Sequence, residues 1–142
     1  MSTILIVYAI FFVVAIIDIK KGIIPWQALI ILMGVITYGH ILEKENILIQ
    51  LIKGMSIGIF LHGFRMLLNS MYKKDTLGMG DIHLLVVITY FLKSIALTLY
   101  VIVIGSYITM IPMMILKKKQ LPFGPFIVAS AIGVSVYQIF FI

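Results

Sequence analysis

Asp18 and Asp81 are the residues of this chain best placed to do chemistry. Asp18 closes the stretch "AIIDIKKG", and Asp81 opens "DIHLLVVITYFL" directly behind a Gly-Met-Gly. An ionisable group at the edge of an apolar run is costly to keep there and is a functional candidate by default. Two carboxyl groups held side by side cannot both ionise cheaply, so such a pair shares a proton. The ionised member then acts as general base on a water, and the protonated one donates to a carbonyl oxygen. That is the chemistry of aspartic proteolysis. Taken singly, either residue also fits an interfacial carboxylate that snorkels or pairs with Lys20 or Lys21.

The remaining acids carry less. Glu43 and Glu45 flank Lys44 in the polar "EKEN", and Asp75 stands beside two lysines. Both places read as solvated turns. His40 and His62 have no carboxylate partner in the sequence and read as packing or interface residues. The chain has no cysteine, which excludes disulfides, thiolate metal sites and a cysteine nucleophile. No metal site and no cofactor box are expected.

The elements that must position the two aspartates follow from composition. Of 142 residues, 63% are hydrophobic and 11% charged, against about half and about a quarter in soluble domains. Such a chain uses lipid as solvent. Six apolar segments run from about Ile4 to Ile17, Ile23 to Leu42, Ile47 to Leu68, Ile82 to Leu92, Ser94 to Leu116 and Phe123 to Ile142. The predicted fold is all-α, a single transmembrane domain over residues 1–142 with about six membrane helices. The first segment has its basic residues behind it, unlike a secretory signal. Pro25 suits the first turn of the second helix. The fourth segment is short and must take in Gly78–Asp81 or sit in a thinned or watery region.

Charge assigns orientation. Lys20, Lys21, Arg65, Lys73, Lys74 and Lys117–Lys119 fall on one side, and Lys44, Lys53 and Lys93 on the other. The positive-inside bias puts the first side in the cytoplasm and both termini outside. Asp18 and Asp81 then lie at one depth, on the cytoplasmic face of the plasma membrane. The basic residues come in short clusters between apolar runs, which argues against nucleic acid and for membrane lipid as the partner. The Lys117–Lys119 run suits anionic lipid. Helix dipoles suggest a division of labour: Asp18, in the last turn of its helix, carries the shared proton, and Asp81, in the first turn of its own, the charge. Gly78 and Gly80 lack a Cβ and leave room for a substrate backbone beside Asp81.

Three stretches carry a resemblance to the type IV prepilin peptidases, or type IV leader peptidases, polytopic aspartyl proteases of the G-x-G-D class. "DIKKGIIPW" at 18–26 resembles the family's first motif, and "GMGDIHLL" at 78–85 its G-x-G-D-x-K-L-L motif. "LPFGPFIVAS" at 121–130 resembles its P-F-G-P stretch. The resemblance maps the family's catalytic aspartates onto Asp18 and Asp81. It implies cleavage of the basic leader from a prepilin or pseudopilin, a substrate with a hydrophobic helix behind that leader. It also brings Pro122, Phe123, Gly124 and Pro125 to the site as a rigid turn opening the last helix, where Gly124 lets a chain pass closely. His83 stands where the family has lysine. Two residues on from Asp81 is a different helix face, so His83 is read as lining the inner boundary, available to substrate backbone or lipid phosphate. Larger members carry an N-terminal region with paired cysteines, associated with methylating the new pilin N-terminus. The chain begins with a membrane helix and has no cysteine, so the resemblance implies a peptidase-only form.

Three other readings compete. A small proton-coupled transporter would place ionisable groups across the membrane, whereas here both aspartates sit at one depth. A presenilin-like G-x-G-D protease has Tyr-Asp and Pro-Ala-Leu where this chain has Ile-Asp and P-F-G-P. The third is an assembly protein without catalysis.

Overall fold

Gly22 ends the first helix by taking a left-handed backbone (φ +64°), and its N–H donates to the Asp18 carbonyl at 2.7 Å. Glycine does this without the Cβ penalty other residues meet there. The chain then runs extended through Ile23 and Ile24 and turns into the second helix at Pro25 (φ −72°, ψ 121°). Pro25 is thus the cap one residue before the helix, not part of its first turn: its ψ is extended, and the helix begins at Trp26.

A computed structural model of the chain describes residues 2–73, 78–116 and 122–141. Its secondary structure there is all helical: α1 (Ser2–Lys21), α2 (Trp26–Leu42), α3 (Ile47–Tyr72), α4 (Met79–Leu92), α5 (Ile95–Leu116) and α6 (Gly124–Phe141). Asp75, Lys74 and Lys117–Lys119, to which the sequence gives roles, lie outside the described residues. Three of the helices, α1, α3 and α5, are long and apolar enough to cross a membrane. Arg65 lies within α3.

The short helix is the centre. α4 packs against α2, α3, α5 and α6. Eight of its 14 residues are buried, on every face: Ile82, Leu84, Leu85, Val87, Ile88, Thr89, Tyr90 and Leu92. A helix apolar all round is one enclosed by others. At about 1.5 Å per residue α4 is some 21 Å long, short of a ~30 Å hydrocarbon layer. Enclosure by its neighbours removes the need to match that layer. Met79, Gly80 and Asp81 belong to its first turn, as the shortness of the apolar run requires. By contrast α1 leaves Leu5, Phe12, Val13 and Ile19 at least half exposed, an apolar outer face suited to lipid.

Hydroxyl groups inside the bundle are bonded. Thr37 Oγ1 donates to the Met33 carbonyl (2.8 Å), which leaves the Tyr90 hydroxyl to donate to Thr37 (2.9 Å). Ser135 Oγ donates to the Ile132 carbonyl and accepts from the Tyr8 hydroxyl at 2.7 Å. The Tyr90–Thr37 bond joins α4 to α2, and the Tyr8–Ser135 bond joins α1 to α6. Each would be costly to leave unmade in a dry interior.

Candidate active site

Ile24 is the residue around which the site closes. A Cβ at Gly80 would stand 3.1 Å from Ile24 Cβ, and one at Gly124 would stand 3.2 Å from Ile24 Cδ1. The Ile24 side chain therefore sits between the first turn of α4 and the first residue of α6. Asp18 reaches the same place from the last turn of α1: a Cβ at Gly124 would overlap Asp18 Oδ2. Asp81 folds back over its own helix start, so that a Cβ at Gly78 would lie 2.9 Å from Asp81 Oδ2. Ile24 links the two places: it meets Gly124, which also meets Asp18, and Gly80, the residue before Asp81. The fold thus brings the end of α1 and the start of α4, which carry the two aspartates, to one neighbourhood.

The glycines thus have an internal use. Gly80 admits Ile24, Gly124 admits the Asp18 carboxyl group, and Gly78 admits that of Asp81. The close approach that the sequence assigns to a substrate backbone is taken up at all three positions by the protein's own groups. Ile24 is the residue that sequence reasoning misses. Its signal was present, an Ile-Pro two residues after Gly22, but an isoleucine in an apolar chain offers no contrast.

Both carboxyl groups face helix N-termini. Asp81 lies in the first turn of α4, and Asp18 meets the backbone of Gly124, the first residue of α6. Helix N-termini favour negative charge. The start of α6 beside Asp18 offsets the unfavourable C-terminal end of α1, so helix dipoles do not assign the shared proton to Asp18. Asp18 is 4% exposed, and its buried Oδ2 has no hydrogen-bond partner among the described residues. A buried acceptor without a donor is the expected place for a proton or a water.

Pro122, Phe123, Gly124 and Pro125 form the start of α6, with Gly124 and Pro125 as its first two residues. The Phe123 carbonyl accepts from the N–H groups of Phe126 and Ile127, both at 3.1 Å. Pro125 has no N–H to lose at this point in the helix. His83 is exposed and lies on another face of α4, beside Trp26 and Val87. The fold does not bring it to the carboxyl pair.

At the other end of α4 stands a second polar cluster. Lys93, in a left-handed backbone (φ 58°), pairs with Glu43 and, at 3.2 Å, with Glu45. Its carbonyl accepts from Lys53 Nζ at 2.8 Å, and Gln50 Nε2 donates to Glu45 at 3.2 Å. Glu43 and Glu45 are therefore not a merely solvated turn: the fold sets a lysine from a distant junction against them. Buried His40 donates from Nε2 to the Tyr90 carbonyl at 3.0 Å, so α2 also carries an ionisable group near this end of α4. Between this end and Asp81 lie Leu84, Leu85 and Ile88, all buried. Two turns of hydrocarbon separate the polar ends, which disfavours a proton relay along α4.

A model of the type IV leader peptidase family matches residues 5–115, most of the chain and both aspartates. The chain belongs to the type IV leader peptidase family. It is therefore a leader peptidase-like protease, and its apolar helices make it a membrane protein. The match ends before the P-F-G-P stretch at 122–125. No curated protein and no solved structure gives a significant match.

Proposed function

We propose that this membrane protease is an aspartic endopeptidase that removes the basic leader from type IV prepilin-like or pseudopilin precursors at the cytoplasmic face of the plasma membrane. What supports this reading is that the helix ends carrying Asp18 and Asp81 converge on Ile24, in a chain of the leader peptidase family. The ionised aspartate takes a proton from water, and the water oxygen attacks the scissile carbonyl. The protonated aspartate donates to the carbonyl oxygen. Collapse of the tetrahedral intermediate breaks the C–N bond, and a proton passes to the leaving amine. The partly enclosed site, with Asp18 buried, keeps the pair coupled, so its two apparent pKa values belong to the pair.

The substrate is a basic leader followed by a hydrophobic helix, as the family resemblance implies. Six membrane passes with both termini outside bring the leader and the aspartates to the same face. Membrane lipid is the other partner, at Lys20, Lys21 and the Lys117–Lys119 run.

The test is co-expression of wild type, Asp18→Ala and Asp81→Ala with a prepilin, scoring the leader-shortened product. Loss of either aspartate should reduce processing by about 10²–10⁴-fold, the scale of general acid–base catalysis. Processing that survives the loss of either one would sink the proposal.

A further inference from the structure

We propose that the hydrophobic helix of the substrate docks in a groove between α2 and α4, whose inner end is marked by His83. The assignment rests on the leader peptidase reading of the Asp18–Asp81 site and says where that site's substrate lies. The groove has a volume of about 410 Å³. Trp26, Ile30 and Met33 of α2 form one wall, and His83, Val86 and Val87 of α4 the other. Trp26 and Ile30 are 64% and 58% exposed, so nothing among the described residues covers that wall.

The packing of α3 explains why the groove is open. α2 and α3 are joined by a short turn, yet they scarcely touch along their length. Instead α3 presses on α4. A Cβ at Gly58 would stand 2.8 Å from Val86 Cγ2, and one at Gly54 would stand 3.2 Å from the Val86 carbonyl. Small residues four apart are the usual means of close helix approach in lipid. They draw α3 against α4 and away from α2. The gap left is walled by hydrocarbon and suits the apolar face of a helix.

Continuity with the carboxyl pair selects this groove over others. His83 is two residues from Asp81, and Trp26 is two residues from Ile24, which packs against Gly80 and Gly124. A larger groove of about 620 Å³ lies between α5 and α6, lined by Tyr100, Ile104, Gly133 and Tyr137. It contains no neighbour of either aspartate. Asp81 and His83 point to different faces of α4, so a helix in the groove does not itself reach the carboxyl groups. The residues before it must leave the helix and wrap round the first turn of α4. About five extended residues cover half the circumference of a helix. A peptide bond so presented is extended, as a protease requires. His83 then stands where the substrate backbone loses its helical bonds, with ring nitrogens able to satisfy an N–H or a C=O.

The probe is a single hydrophobic helix preceded by a short basic leader that ends in glycine, co-expressed in the same membranes. A photo-reactive phenylalanine analogue is placed at Ile30 or Met33 in the groove, or at Tyr100 in the α5–α6 groove, in an Asp81→Asn background. Substrate adducts at 30 and 33 should exceed those at 100 by at least fivefold. A preference for position 100, or adducts at 30 and 33 that contain lipid alone, overturns the assignment. In parallel, Met33→Trp should fill the groove and raise KM about tenfold with kcat unchanged, whereas Met33→Leu should keep both. An unchanged KM in Met33→Trp protein counts against the groove. Should wild type leave the leader intact, the leader peptidase reading itself fails. Should wild type remove it while adducts fall elsewhere, the groove assignment alone fails.

Discussion

A methyl group at Gly78 would crowd Asp81 Oδ2 at 2.9 Å, and one at Gly124 would overlap Asp18 Oδ2. In each case the carboxyl group must move, because the other party is backbone at a helix start. Gly78→Ala and Gly124→Ala should therefore reduce leader processing at least tenfold while the protein accumulates in membranes as wild type does. Gly34→Ala is the comparison: no atom lies within 4 Å of its Cβ position, so activity should not change. Equal losses in all three would mean that helix flexibility, not the carboxyl groups, is responsible. At Gly80 the obstacle is the β-branched Ile24, whose Cβ cannot retreat. Gly80→Ala should cost about 1–3 kcal/mol by overpacking. Adding Ile24→Ala should restore part of that loss in a double-mutant cycle of thermal unfolding, since the two residues touch. Additive losses would show that Ile24 does not fill the space at Gly80. The same contrast explains what could be read at this scale. An aspartate in an apolar run stands out, and so does a glycine pair before it. Ile24 is chemically identical to dozens of its neighbours, and its role exists only once three helix ends meet on it.

Among elements, α4 is held at both ends by different means. Its N-terminal end is packed on Ile24, and its C-terminal end is tied by charge, with Lys93 on Glu43 and Glu45 and Lys53 on the Lys93 carbonyl. The hydrogen bond from Lys93 and its charge hold the Glu45 carboxyl below its ordinary 4.5. Burial pushes the Lys93 ammonium down, but Glu43 and Glu45 outweigh it and raise the group above its ordinary 10.5. The signs give a window. Glu45 is depressed, so its contribution to stability is present above 4.5 and lost as pH falls through the folded value. Lys93 is raised, so its contribution is present below 10.5 and lost as pH rises through its folded value. The difference in Tm between wild type and Lys93→Met should thus be flat from about pH 4.5 to about 10.5 and shrink outside that range. Thermal unfolding in detergent across pH measures it, and a difference that peaks within the plateau would assign the effect to another group. The sequence supports only the statement that these four charges share one side of the membrane. Which of them meet depends on the left-handed turn at Lys93, a conformation that lysine rarely adopts and that no local residue pattern announces.

For the whole molecule, the decisive question is which way the bundle faces. Helix content was legible because a 63% hydrophobic chain punctuated by short polar clusters permits few other solutions in lipid. The enclosure of α4 was legible only as a shortage of length. The three helices long and apolar enough to span are joined by three shorter ones, α2, α4 and α6. If all six cross, α1 and α2 must meet at the face where Asp18 lies, and the turn holding Glu43 at the opposite face. Because the chain has no cysteine, single substitutions report their own accessibility without background. Lys21→Cys stands at the end of α1 beside the carboxyl pair, and Lys44→Cys stands in the α2–α3 turn outside the bonds that Glu43 and Glu45 make. In intact cells a membrane-impermeant maleimide should label Lys44→Cys and leave Lys21→Cys unreacted until the membrane is opened. The reverse pattern would place the aspartates outside, where a basic leader held back by the positive-inside bias could not reach them. Labelling of both from outside would mean that α2 does not cross. In either case the Asp18–Asp81 pair would need a substrate other than one presented from the cytoplasm.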